Sequence, residues 1–170
     1  MRAHAARLLG RTGPGSKDAL LDLARGREPQ AVRAGALRGL AELGSAEAVR
    51  GLLTLAEKAS YDLRSSALDA IGAVDSVGAL KVLTVAVADE RRPAEVRAAA
   101  CGALGRSEAE AAVPSLIAVL EDPVSPSRVR VAAVRALSRL GGAQARPALQ
   151  RAAHDPDPAV ARAAKRCGRR

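Results

Sequence analysis

The amino-acid sequence predicts an all-α fold, a solenoid of about five helix pairs led by one unpaired helix. Three observations carry this: a core drawn almost wholly from Ala, Leu and Val, a column pattern that repeats along the chain, and Gly and Pro at fixed places in each repeat. The 170 residues include no Phe, no Trp and a single aromatic, Tyr61. Ala and Leu are strong helix formers, and small side chains let helices approach near the short end of the roughly 8–10 Å interaxial range. Strand formers such as Ile, Thr, Tyr and Phe are scarce, and no segment alternates apolar and polar residues as a half-buried strand does.

Alignment on Arg2, Arg33, Arg64, Arg97 and Arg130, with Ala161 as the sixth member, gives spacings of 31, 31, 33, 33 and 31 residues. The position before holds Met1, Val32, Leu63, Val96, Val129 and Val160, and the third position after holds Ala in all six. The seventh after holds Leu9, Leu40, Ile71, Leu104 and Leu137. These offsets follow the i, i+4, i+8 spacing of one helix face, so each Val-Arg segment is an amphipathic helix. Nineteen after the Arg come Leu21, Leu52, Leu83, Leu116 and Leu149, which mark the first helix of the next pair.

In chain order the elements are a lone second-type helix over 1–11, then pairs starting near Ser16, Ser45, Asp75, Ser107 and Gly142. Gly10, Gly44, Gly105 and Gly141 close the Val-Arg helices, as glycine does at helix C-termini. Ser16, Ser45 and Ser107 are expected to cap the helices after them, and Ser107 with Glu110 matches a capping box. Pro29, Pro93, Pro126 and Pro158 fit the first turn of a Val-Arg helix, where a missing N–H costs little. Residues 1–170 are expected to form one repeat domain, whose leading helix has no mate to cover its apolar side.

The segments Asp155-Pro156-Asp157-Pro158-Ala159-Val160, Pro93-Ala94-Glu95-Val96-Arg97-Ala98-Ala99-Ala100 and 126–133 resemble the turn and second helix of HEAT repeats, particularly the bacterial subtype named after phycobilisome lyases. The resemblance extends over essentially the whole chain. It implies a right-handed α-α superhelix of about five HEAT-type repeats plus the leading helix, with second helices lining the concave side. It also implies a ladder of turn Asp and repeat Arg, here Asp122 with Arg130 and Asp89 with Arg97. Near Arg33 the turn acid is Glu28, at another offset, and Ala161 replaces the last Arg, so the ladder is expected to stop short of both ends.

Catalytic chemistry is not expected. His4 and His154 fall in the first and last repeats, and neither H-E-x-x-H, G-x-S-x-G, a phosphate-binding Gly loop nor a Cys-His cluster with metal spacing occurs. Gly13-Pro14-Gly15 lacks the Lys-Ser/Thr of a P-loop and reads as a turn. Cys101 shares a column with Leu37, Leu68 and Val134 and is read as a small core hydrophobe, Cys167 as a passive thiol. No cofactor or metal is expected. The resembling family includes phycobilin lyase subunits and related DNA glycosylases, but stacking a tetrapyrrole or an extruded base ordinarily uses aromatic side chains, which this chain lacks apart from Tyr61.

The net charge of +9 lies entirely in residues 126–170, with 11 Lys and Arg against two Asp, while 1–125 carries 16 of each sign. Five and nine residues after the repeat Arg, on the exposed side of each second helix, come Arg7 and Arg11, Arg38 and Glu42, Asp69 and Ala73, Gly102 and Arg106, Arg135 and Arg139, Arg166 and Arg170. Arg7, Arg11, Arg38, Arg106, Arg135, Arg139, Arg166 and Arg170 are therefore the candidate partner-binding residues. The expected function is a non-catalytic scaffold that binds a protein partner along the concave face, an acidic partner being one option. The alternative is binding of nucleic-acid phosphates by the basic C-terminal repeats, and a third reading is a phycobilin-lyase-like subunit. The two distant cysteines suggest no disulfide framework, and no apolar run of about 18 residues or secretory h-region is present, so a cytoplasmic setting without membrane contact is expected. Residues 1–12 are Arg-rich and acid-free like a transit peptide, yet they fit the repeat register.

Overall fold

The computed structural model describes residues 1–75 and 77–168. Eleven α-helices and no strand occur among them, and the helices pair in sequence as an all-α solenoid. They form two compact units, 1–82 and 83–170. Unit 1 contains α1 (Arg2–Leu9), α2 (Lys17–Arg25), α3 (Gln30–Leu43), α4 (Ala46–Lys58) and α5 (Tyr61–Gly72). α6 (Leu80–Ala88) runs across the boundary, and unit 2 continues with α7 (Ala94–Leu104), α8 (Val113–Glu121), α9 (Ser127–Leu140), α10 (Gly142–Ala152) and α11 (Pro158–Cys167). Within unit 1, α3 packs on α1, α2, α4 and α5; within unit 2, α9 packs on α7, α8, α10 and α11.

The repeat columns are the core. Ala36, Ala67, Ala100 and Ala133 are fully buried, as are Leu40, Ile71, Leu104 and Leu137. Cys101 is buried among them, and the loss of solvation pushes its thiol up to about 12. α1 departs from the pattern: Met1, Ala5 and Leu9 are exposed, and the helix packs instead through Ala6 and Gly10. The side that α3 turns to α2 is bare in α1. Its contact with α3 is close because glycine permits it, since a Cβ at Gly35 would stand 2.2 Å from the Ala3 carbonyl oxygen and one at Gly10 would stand 2.0 Å from that of Gly39.

Punctuation follows the sequence in part. Gly44 ends α3 in the left-handed region at φ 59°, and Ser45 accepts the Ala48 N–H at 3.2 Å as the cap of α4. Pro158 opens α11 behind an Asp157 cap, whereas Pro29, Pro93 and Pro126 stand one place earlier, at the N-cap itself. Two expected serine caps do not form. Ser16 ends a 3-10 turn (Pro14–Ser16) with helical backbone and donates to the Gly13 carbonyl at 2.8 Å. Ser107 donates to the Leu104 carbonyl at 2.8 Å, and a 3-10 turn over Glu110–Ala112 delays α8 to Val113, so the capping box is absent. The pair expected from Asp75 likewise begins with a 3-10 turn, Val77–Ala79.

The arginine ladder exists, but with a different partner. Each inner repeat Arg first reaches back to the last turn of the first helix of its own pair. Arg33 Nε donates to the Ala24 carbonyl (3.1 Å), Arg97 Nε to that of Val87 (2.9 Å) and Arg130 Nε to that of Leu120 (2.9 Å). These carbonyls have no intrahelical donor and sit at the negative end of the helix dipole, so the guanidinium, buried in Arg97 and Arg130 and half-buried in Arg33, satisfies them. The other arm reaches forward to the turn of the next repeat: Arg130 pairs with Asp155, and Arg97 Nη2 donates to Ser125 Oγ (3.1 Å), which donates to Asp122 Oδ2 (2.7 Å). The expected pairs Asp122–Arg130 and Asp89–Arg97 are not formed. Asp89 instead meets Arg91 and Arg92 at 3.0 and 3.5 Å.

Candidate partner-binding surface

A side chain five places after the repeat Arg points off its helix away from the core, because that Arg and the Ala three places on face inward. Arg38 on α3 is exposed, and Arg7 on α1 forms an ion pair with Glu42 on α3. Arg7, Arg38, Glu42, Asp69 and Ala73 line one groove of about 390 Å³ in unit 1. The column alignment therefore assembles a surface, and that surface has two cations and two anions. Arg11 is exposed in the turn after α1, outside this groove.

Unit 2 is different. Arg135 and Arg139 on α9 and Arg166 on α11 are exposed, and none has an acidic partner among the described residues. Several acids of the unit are engaged elsewhere. Glu95 accepts from Arg128 at 2.7 Å, Glu121 pairs with Arg151, Asp155 with Arg130, and Asp157 accepts from Ser127 and from the Ala159 N–H. Hydrogen bonds from Ser125 and the Val124 N–H, with Arg97 nearby, hold Asp122 below the usual carboxylate range, and Ser127 and the Ala159 N–H do the same for Asp157. These contacts gather at the turns that precede α9 and α11, whereas Arg139 and Arg166 lie in the last turns of those helices, where the dipole favours cations. Arg135, Arg139 and Arg166 are thus left without a counter-charge on the second-helix side.

Arg106 departs from expectation. α7 ends at Leu104, and Gly105 packs so tightly that a Cβ there would lie 2.7 Å from the Ala136 Cα, so the chain turns away and Arg106 is half-buried rather than exposed. Arg170 lies outside the described residues. His4 and His154 are both exposed, in α1 and in the turn after α10. Sequence reasoning missed one feature, an opening of about 820 Å³ bordered by α10 and α11. The half-burial of Leu149, in a column whose inner members are fully buried, is its trace, but only the structure supplies that contrast.

Helix pairs stacked through apolar columns, with a guanidinium joining neighbouring repeats, define an α-helical repeat protein. The family description HEAT repeats matches residues 17–94 and 85–166, and the chain belongs to the HEAT-repeat family. No curated protein matches it significantly. Among solved structures it is similar to the complex of CpcE and CpcF of phycocyanin lyase from Nostoc sp. PCC7120, with 24% identity, a TM-score of 0.65 and coverage of 91% of this chain and 98% of that one. It is similar also to a structure of microtubule plus end tracking by XMAP215, CLIP-170 and EB1, with 18% identity, a TM-score of 0.60 and coverage of 91% and 73%. A designed armadillo repeat protein matches at 18% identity and a TM-score of 0.50, covering 97% and 90%. At these identities the likeness is one of fold. Among the described residues no single helix is long and apolar enough to cross a membrane.

Proposed function

We propose that this protein is a non-catalytic scaffold that binds an acidic protein partner on the second-helix side of its repeats. The observation that carries the reading is the set of exposed arginines on α9 and α11, Arg135, Arg139 and Arg166, with no acid among the described residues to neutralise them. Repeat solenoids present extended surfaces suited to partner segments, and a one-signed stripe speeds the approach of an oppositely charged one. Both cysteines are free thiols, which suits a reducing, cytoplasmic setting for residues 1–170 acting as one array.

The same arginines support a second reading, contact with nucleic-acid phosphates. Stacking of single strands would need aromatic side chains, and Tyr61 is the only one, so this reading is confined to duplex backbones. A matched capture experiment separates the two. Wild type and an Arg135→Glu/Arg139→Glu/Arg166→Glu variant serve as bait, with and without nuclease. Retention of one acidic protein by wild type after nuclease, and its loss from the variant, is the expected result. Loss of everything on nuclease treatment would favour the second reading, and identical capture by both baits would remove the stripe from consideration.

A further inference from the structure

In unit 1 the groove of about 390 Å³ lies over α3, which packs on α1 to one side and on α5 to the other. Four charged residues line it, Arg7 from α1, Arg38 and Glu42 from α3, and Asp69 from α5. The rest of the lining is Ala and Ser, with Ala41 and Ala70 buried, so no other side chain in it is longer than serine's. Glu42 stands four places after Arg38, where it would neutralise that arginine along the helix face. It pairs with Arg7 instead. Arg38 and Asp69 are both exposed, and among the described residues neither side chain has an ion pair or a hydrogen bond.

We infer that this groove reads an extended segment of a partner protein that carries an acidic and a basic side chain two residues apart, the acid over Arg38 and the base over Asp69. Arg38 and Asp69 hold the same place in successive repeats, five after Arg33 and Arg64. Equivalent places on packed helices lie about 8–10 Å apart. Side chains two residues apart on an extended chain point the same way about 7 Å apart, and the length of a partner Glu or Lys spans the difference. A free amino acid, whose two charges sit on one carbon, is too short to reach both groups. A segment of one sign is repelled by one of them, so the groove discriminates by charge pattern, whereas Arg135, Arg139 and Arg166 respond to net charge. Arg7 is a positioning residue, because by holding Glu42 it keeps that carboxylate off Arg38. The inference rests on the scaffold reading in placing a partner on the second-helix side, and it adds what unit 1 selects there.

The full chain is titrated by fluorescence anisotropy with short, end-capped alanine peptides: one with Glu and Lys two places apart, a twin with Glu at both places and a twin with Lys at both. Wild type is expected to bind the mixed peptide about three- to tenfold more tightly than either twin. Arg38→Glu is expected to move the preference to the Lys twin and Asp69→Lys to the Glu twin, with melting unchanged because both side chains are exposed. Arg7→Ala, which releases Glu42, is expected to weaken binding of the mixed peptide. Arg7→Ala/Glu42→Ala is expected to restore it, a rescue that a merely structural role for Arg7 would not give. Arg135→Glu/Arg139→Glu/Arg166→Glu should keep the wild-type peptide preference whatever its capture experiment returns, so this inference and the scaffold reading fail separately. Equal binding of the three peptides, binding of none, or an unmoved preference in Arg38→Glu or Asp69→Lys would overturn the inference. So would self-association of the full chain that Asp69→Lys abolishes, which would make a second copy the occupant.

Discussion

Arg130 is held to Asp155 across a repeat boundary while its Nε remains bound to the Leu120 carbonyl at 2.9 Å. One guanidinium therefore ties together the end of α8, the start of α9 and the turn into α11. Both side chains are about nine-tenths buried, at 8% and 10% exposed. A buried pair costs most when one member is removed and its partner is left without a counter-charge.

Arg130→Ala is accordingly expected to destabilise the protein by about 3–5 kcal/mol, the usual consequence of breaking a buried pair. Arg128→Ala and Arg151→Ala, whose side chains are 65% and 63% exposed in pairs with Glu95 and Glu121, should each change stability by less than about 1 kcal/mol. Denaturant midpoints of the three variants decide the matter. If Arg130→Ala loses no more than Arg151→Ala, the ladder does not hold the repeats together.

Asp122 supplies a pH test. Its pKa is lowered on folding, so its ionised form contributes stability that is fully present above the unfolded carboxylate value of about 3.9 and is lost as pH falls through the lowered folded value. Asp122→Asn removes that dependence. Wild type should melt higher than the variant at neutral pH, and the gap should close below about pH 4. A gap that is constant from neutral to acid pH would show that the carboxylate charge is not what Ser125 and the Val124 N–H recognise.

Packing at the glycine and alanine positions predicts opposite signs at different sites. A Cβ at Gly102 meets nothing within 4 Å, so Gly102→Ala in α7 should stabilise by about 0.5–1 kcal/mol through helix propensity. Gly35→Ala must push α1 off α3, and Ala100→Leu and Ala133→Leu insert bulk at fully buried positions, each at a cost of about 1–3 kcal/mol. Thermal melts that rank Gly102→Ala with the other three would contradict the packing described.

The basic stripe has a salt signature. If it contacts duplex phosphates, binding should fall steeply with salt, and replacing Arg135, Arg139, Arg166 and Arg170 by Ala should flatten the log–log slope by up to about four units, roughly 0.9 for each phosphate left without its arginine. Folding stability should barely change, since Arg135, Arg139 and Arg166 are exposed. No duplex binding at physiological salt, or an unchanged slope in the quadruple variant, would leave the acidic-protein reading as the account of the stripe.

The helix pairs, the buried columns and the C-terminal concentration of charge were legible in the sequence because each is a local or periodic property. A Val, Ala and Leu at i, i+4 and i+8 share one face whatever lies against it, and Gly44 stops a helix by its own backbone freedom. Periodicity does not say what that face meets. That Arg130 turns to Asp155 rather than Asp122, that Gly35 lets α1 lie against α3, and that Arg106 is half-buried depend on distances between elements far apart in the chain. Asp122 was the nearer acid in sequence, but Ser125 and the Val124 N–H already occupy it, and Asp155 was the acid within reach. The half-burial of Leu149 is likewise a tertiary fact, since it has the same place in its repeat as fully buried Leu116 and differs only in what covers it.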